Sequence, residues 1–87
     1  MDLTEFTTCR YELKRPLLII TGSKGSLACG YLNIATFEKL DEAAAIVSGV
    51  GDYEDMARAE VQQVSPAAEA LGVKIGMTGA AALELFR

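Results

Sequence analysis

In this 87-residue chain, the side chain best suited to covalent chemistry is the thiol of Cys29. It lies within the segment Lys24 to Asn33 (KGSLACGYLN). A thiol becomes a nucleophile when a histidine, a cation or a helix N-terminus favours its thiolate. The chain has no histidine, which excludes Cys-His and Ser-His arrangements even in a homo-oligomer. The groups that remain to favour the thiolate of Cys29 are Lys24 and the helix start at Asn33. The alternative is a small buried hydrophobic residue, because free cysteine is among the most buried residue types.

The segment Thr21 to Ser26 (TGSKGS) combines glycines, hydroxyls and a lysine, as phosphate-binding loops do. A Walker loop requires G-x-x-x-x-G-K-S/T running into a helix, whereas Lys24 here precedes Gly25 and an apolar segment follows. The segment therefore predicts the turn of a β-hairpin, in which its two glycines can adopt positive φ.

A second glycine-rich segment, Gly72 to Leu83 (GVKIGMTGAAAL), is the predicted location of a ligand pocket. Its turn lies at the start of the last predicted helix, where backbone amides can face an anion. The residues predicted to bind a small anionic ligand are Lys74, Gly76, Met77, Thr78 and Gly79. The alternative is that the glycines let the helix pack closely on the sheet.

Two groups of acidic residues are the candidates for a metal site. Without histidine they would hold a hard cation through oxygen ligands, and their spacing fits no EF-hand loop. We interpret them as helix-start and surface charges, and predict no metal and no cofactor. The two groups are Asp52, Glu54 and Asp55, and Glu38, Asp41 and Glu42.

The charge and hydropathy of the chain exclude some classes of binding partner. The net charge of -4 opposes binding to nucleic acid, which depends on neutralising phosphates. Basic residues outnumber acidic ones in residues 1–37, so one end of the fold is expected to be mildly basic. No segment reaches the roughly 18 apolar residues of a membrane span, and the start MDLTEF is unlike a signal peptide. The sequence predicts a soluble, cytoplasmic protein with reduced cysteines and no membrane partner.

The apolar content is high for so short a chain. Hydrophobic residues make up 51% of 87 residues, while a chain of this size buries a modest share of its surface in its own core. We therefore predict a homo-oligomer, with a two-fold dimer as the first expectation.

Three strands are predicted in the first third of the chain. Apolar and polar residues alternate from Glu5 to Leu13, which is the period of a strand with one buried face. Pro16 ends that strand, and the apolar run Leu17 to Thr21 predicts a central strand covered on both faces. The run Ser26 to Gly30 (SLACG) returns as its hairpin partner.

A crossover is predicted next. Asn33 is a good N-cap for a helix that ends at about Leu40, and Ala43 to Val50 has the pattern of a buried strand. Strand, helix and strand form a βαβ-like unit that is expected to be right-handed. This unit places a parallel pair in an otherwise antiparallel sheet.

Two helices are predicted after the crossover. Asp52 caps the first, which runs through about Arg58 with acidic residues in its first turn. The second helix is predicted from four apolar residues that share one helical face. Pro66 fits this helix if Ser65 is the N-cap and Pro66 is the first helical residue. The four residues are Val61, Val64, Ala68 and Leu71.

The last part of the chain is predicted to contain a short extended segment and a final helix. Gly72 ends the preceding helix, residues 73–76 (VKIG) are extended, and Thr78 caps a helix to Phe86. The predicted order is three strands, a helix, a strand, two helices, a strand and a helix. The predicted fold is a single two-layer α+β domain over residues 1–87, with helices packed on a mixed β-sheet.

Three motifs resemble the YunC-like proteins, a small bacterial and archaeal family with a domain of unknown function. They are Cys-Gly-x-Leu at 29–32, Gly-Val at 49–50 and Leu-Gly-x-x-x-Gly-Met-Thr-Gly at 71–79, and the similarity covers residues 16–85. The resemblance implies a compact α+β domain and no particular activity. Members of that family carry Glu where this chain has Ala81, which in physical terms removes half of a capping box.

Two functions remain open from the sequence. The first is a binding module without a catalytic triad, which oligomerises and takes a ligand or protein partner at the turn 76–79. The second is a thiol-dependent enzyme or redox sensor that uses Cys29. The missing histidine favours the first, so we expect that the protein is not an enzyme.

Overall fold

A mixed five-stranded sheet lies at the centre of the structure, a computed structural model that describes residues 3–87. The strands lie side by side in chain order, and all neighbours are antiparallel except β3 and β4, which are parallel. This arrangement confirms the predicted parallel pair in an otherwise antiparallel sheet. The strands are β1 (Thr7–Tyr11), β2 (Leu17–Thr21), β3 (Ser26–Ala28), β4 (Ala44–Ile46) and β5 (Gln63–Val64).

Within residues 3–87, four short helices connect and cover the strands. Each begins after the predicted N-cap, whose side chain accepts a hydrogen bond from a backbone amide of the first turn. No helix of residues 3–87 is long and apolar enough to cross a membrane. The helices, with their caps, are α1 (Ile34–Lys39, Asn33), α2 (Tyr53–Arg58, Asp52), α3 (Pro66–Ala70, Ser65) and α4 (Gly79–Phe86, Thr78).

The prediction of a helix through Val61 and Val64 is wrong. Val64 belongs to β5, which pairs with β4 so that Val64 lies opposite Ala45. The amide of Gln62 also donates to the carbonyl of Ile46. Pairing with β4 satisfies the backbone groups of this segment, whereas a helix that continued from Val61 through Pro66 would lack the hydrogen bond that a proline cannot donate.

The predicted strand at residues 73–76 is also wrong, so the fifth strand precedes rather than follows the helix that begins at Pro66. The segment runs alongside residues 59–61 instead, where the amide of Gly76 donates to Val61 and the amide of Val61 donates to Met77. The observed order is three strands, a helix, a strand, a helix, a strand and two helices. The α+β class, the mixed sheet and the packing of helices on it are as predicted.

The core lies between one face of the sheet and the helices. Cross-strand pairing places Ile20 opposite Leu27 and Leu27 opposite Ala45, so these residues share that face. Met56 of α2 and Phe86 of α4 pack against them and are fully buried. Burial of these side chains is the main favourable contribution to folding.

The turn Gly22 to Gly25 joins β2 to β3, as predicted for a hairpin. It also holds the end of α4, because the amide of Lys24 donates to the carbonyl of Phe86. A β-carbon on Gly25 would overlap the Phe86 ring. These glycines therefore serve the close approach of the last helix to the hairpin.

Candidate functional site

A pocket of about 270 Å³ lies at the edge of the sheet where β3 and β4 end. The two strands are parallel, so the residues that follow them, Cys29 and Gly30 after β3 and Ser48 and Gly49 after β4, meet at one place. Ligands of α/β sheets commonly bind at the carboxyl ends of strands. The pocket is lined by Arg15, Pro16, Cys29, Gly30, Tyr31, Ser48, Gly49 and Val50.

Cys29 forms part of the pocket wall and also belongs to the hydrophobic core. Its exposed fraction is 3%, and it lies in the core cluster with Leu18 and Ile20. Its sulfur accepts a hydrogen bond from the amide of Leu18 at 3.3 Å, and its own amide donates to the Leu18 carbonyl at 3.0 Å. Cys29 is therefore buried, although one side of the residue borders the pocket, and a catalytic role for its thiol stays a prediction.

The two groups suggested to favour the thiolate of Cys29, Lys24 and the helix start at Asn33, do not line its pocket. Lys24 lies in the hairpin turn at the opposite end of β3, beside the carbonyl of Phe86. Asn33 caps α1 and accepts from the amide of Ala35 at 2.9 Å. The cation that does line the pocket is Arg15, which no sequence motif singled out.

Arg15 gives one side of the pocket a positive charge. Its side chain is exposed and forms no ion pair with residues 3–87, while its backbone amide donates to the hydroxyl of Tyr31 at 3.3 Å. This contact ties the segment before β2 to the segment after β3. An unpaired guanidinium beside a small pocket is suited to binding a carboxylate or phosphate.

Backbone amides at the strand ends add further donors. Within the described part of the chain, the amides of Gly30, Ser48 and Gly49 have no hydrogen-bond acceptor. Gly49 has a φ of 72°, a conformation that turns neighbouring amides toward one side of the chain. The residues that line the pocket therefore include one arginine, one cysteine and three residues whose amides have no acceptor within residues 3–87.

A second arginine braces the loop that follows β4. Arg10 of β1 donates to the carbonyl of Gly51 at 3.3 Å and forms an ion pair with Glu12 at 2.5 Å. The hydrogen bond to Glu12 raises the pKa of Arg10 above its ordinary value. Arg10 and Arg15 both lie near this end of the sheet, while the basic end expected from the charge distribution stays a prediction.

The turn at residues 76–79 has a different character from the pocket. The amides of Gly76, Met77 and Gly79 already donate to carbonyls of Val61, Lys74 and Ala59 respectively. A β-carbon on Gly79 would overlap the carbonyl oxygen of Met56, so this glycine permits the close packing of α4 on α2. The structure thus supports the packing alternative for Gly79, while a ligand at Lys74, Gly76, Met77 and Thr78 stays a prediction.

The acidic residues occupy helix starts and exposed positions. Asp52 caps α2 by accepting from the amide of Asp55 at 2.8 Å. Asp55 in turn accepts from Gly51 at 3.0 Å and from Arg58 at 2.5 Å. The second acidic group, Glu38, Asp41 and Glu42, is exposed. No cluster of three or more potential metal ligands occurs within residues 3–87.

The fold and pocket define a small α+β domain whose concave site lies at the carboxyl ends of a parallel strand pair. Residues 28–86 match the family model described as Domain of unknown function (DUF1805). The chain belongs to this family, as the YunC-like resemblance implied, and the match includes Cys29, Gly30, Ser48 and Gly49 of the pocket.

Two relatives agree with this assignment. The chain is 34% identical over 83 residues to the uncharacterized protein YunC of Bacillus subtilis (strain 168), covering 90% of this chain and 82% of that protein. It is also similar to the crystal structure of a protein of unknown function from Thermoplasma acidophilum, with a TM-score of 0.83 and 29% identity. That match covers 94% of this chain and 93% of the other.

The pocket was missed by sequence reasoning because its residues come from three separate segments. Arg15 precedes β2, Gly30 follows β3 and Gly49 follows β4. One signal was available: the predicted parallel pair requires both strands to end at the same edge, and each is followed by a glycine.

Proposed function

We propose that this protein is a non-catalytic binding module that holds a small anionic ligand in the pocket at the ends of β3 and β4. The observation that carries the proposal is that Arg15, which forms no ion pair within residues 3–87, lines one concavity together with Gly30, Ser48 and Gly49, whose amides have no acceptor among those residues. A volume of about 270 Å³ has room for a small carboxylate or phosphate.

The test is a titration of isotope-labelled protein with inorganic phosphate, acetate and succinate, followed by amide chemical shifts at matched ionic strength. We expect saturable shifts centred on Gly30 and Gly49. Arg15→Gln should weaken binding by about tenfold, in line with the loss of one charge-assisted hydrogen bond. Lys24→Gln, which removes a cation at the other end of the hairpin, is the matched control.

The same spectra separate the two candidate ligand sites. Saturable shifts at Gly76 and Gly79 would place the ligand at the turn before α4 instead. The absence of any saturable, residue-specific shift with all three anions would contradict the proposal that the protein binds small anions.

A second function is a thiol-dependent enzyme or redox sensor. It is favoured by one observation, the hydrogen bond from the Leu18 amide to the Cys29 sulfur at the pocket wall. Such a bond stabilises a thiolate. The burial of Cys29 and the absence of histidine from the chain weigh against it.

We also propose that the module is a homo-oligomer, with a dimer as the first expectation. The high apolar content supports this, as do large hydrophobic side chains that the single chain leaves exposed, among them Tyr11 and Leu13. Light scattering tests it directly, because a mass equal to the 9.3 kDa chain at all concentrations would rule it out.

A further inference from the structure

The strand β1 forms an open edge of the sheet. It pairs with β2 on one side, and no segment of residues 3–87 pairs with its other side. All five of its residues, Thr7–Tyr11, are exposed. The outer edge therefore presents unpaired backbone donors and acceptors to any extended chain, and proteins usually protect such an edge.

Large apolar side chains accompany this edge. Tyr11 is 64% exposed and Leu13, two residues further along the chain, is 45% exposed. Cys9 shares the face of Tyr11, because side chains of a strand alternate between faces. An edge with unpaired backbone and exposed apolar side chains is suited to permanent cover by another strand.

The charges of Arg10 and Glu12 indicate which strand would pair with the outer edge of β1. Arg10 lies in β1 and Glu12 follows its last residue, Tyr11, so an antiparallel copy centred on Tyr11, with both segments extended as far as Leu13, places Arg10 of each copy opposite Glu12 of the other. Tyr11 then faces its own symmetry mate and Leu13 faces Cys9. Opposite charges and apolar pairs directly across strands are stabilising.

From this match we infer that β1 is the contact surface for a second copy of this chain. The two strands pair antiparallel about a two-fold axis at Tyr11 and extend the sheet across the dimer. The inference rests on the proposed homo-oligomer and names its interface. Two-fold symmetry is satisfied because the same surface serves both subunits.

Neighbouring registers fit less well. An axis at Arg10 would set two guanidinium groups against each other, and like charges directly opposite are destabilising. An axis at Cys9 would place Arg10 opposite Thr8 and leave Glu12 opposite Phe6. The register at Tyr11 is the one that pairs both charges and covers both exposed apolar side chains.

The experiment uses two charge reversals, Arg10→Glu and Glu12→Arg, and light scattering over a concentration series. Each variant alone places like charges across the interface, so we expect its dimer dissociation constant to rise by about tenfold or more. A mixture of the two variants restores opposite charges between chains while the pair within each chain stays broken. The mixture should therefore form a heterodimer of twice the 9.3 kDa chain mass.

The controls separate this interface from the dimer itself and from folding. Arg58→Glu breaks a comparable exposed ion pair on α2 and should leave the dimer mass unchanged. Circular dichroism checks that each variant folds, since Arg10 also contacts Gly51. A wild-type monomer would remove the proposed oligomer and this interface together. A wild-type dimer that survives both reversals, or a mixture that stays monomeric, would overturn the β1 interface alone.

Discussion

Gly79, the first residue of α4, lies against the backbone of Met56 in α2, so closely that a β-carbon would overlap the Met56 carbonyl oxygen. The same β-carbon would lie 3.1 Å from a methyl group of Leu27. Both surrounding residues are fully buried and cannot move without opening the core. The start of the last helix is thus fixed by direct contact between two helix backbones and the sheet.

We expect Gly79→Ala to lower the free energy of unfolding by at least about 3 kcal/mol, because the overlap is with backbone rather than with a flexible side chain. Urea titration followed by circular dichroism measures this. Gly76→Ala is the matched control: its φ of 95° strains an alanine, but the space around it is open. Its cost should be about 1–2 kcal/mol. Equal costs for the two variants would show that packing at Gly79 is unimportant.

Ser65 joins the start of α3 to the segment that leads into β4 through one fully buried hydroxyl. Its oxygen accepts from the amides of Ala44 at 2.9 Å and Ala68 at 3.3 Å, and it donates to the carbonyl of Glu42 at 2.7 Å. We expect Ser65→Ala to cost about 2–4 kcal/mol of unfolding free energy, because the variant loses a helix cap and leaves a buried strand amide without its acceptor.

The matched control for Ser65 is Ser23→Ala in the exposed hairpin turn, where the hydroxyl donates to the carbonyl of Arg87. This change should alter the free energy of unfolding by less than about 0.5 kcal/mol, since water replaces an exposed partner. A similar small effect at Ser65 would contradict the structural role that its three hydrogen bonds imply.

These residues also show which features the sequence could predict. The four helix starts were predicted because an N-cap signal lies within three residues of the amide that it satisfies, as at Ser65 and Thr78. The hairpin turn Gly22 to Gly25 was predicted for the same local reason. The parallel pair followed from one helix between two buried strand patterns.

The missed features depend on contacts between distant segments. Val64 pairs with Ala45, nineteen positions earlier, and the apolar spacing around it suits a helix equally well. The pocket brings Arg15 to Gly49, which only the completed sheet does. The overlap at Gly79 was left open because close packing and ligand binding both use glycine.

Cys29 provides a test that separates the two proposed functions. In a Cys9→Ser variant, which leaves one thiol, we expect iodoacetamide to modify Cys29 at least about tenfold more slowly in the folded protein than in urea. The reason is that the sulfur is buried within the hydrophobic core. Mass spectrometry over time measures both rates. Modification of the folded protein faster than of the unfolded chain would instead favour the thiol-dependent enzyme or redox sensor.

Ala81 stands where the YunC-like resemblance implies a glutamate of the family, at the start of α4. The hydroxyl of Thr78 accepts from the amide of Ala81 at 3.2 Å, which is one half of a capping box. The backbone amide of Thr78 has no acceptor within residues 3–87, so the reciprocal half is absent. A glutamate at position 81 could supply that acceptor, and its charge would also favour the helix N-terminus.

We expect Ala81→Glu to raise the free energy of unfolding by about 0.5–1 kcal/mol, as measured by urea titration. Ala81→Gln keeps the hydrogen bond without the charge and should give a smaller gain that is insensitive to salt. The expected order is therefore Glu above Gln above Ala at low ionic strength. If neither variant is more stable than the wild type, capping does not explain the glutamate of the family, and a role in binding at this turn becomes the better account.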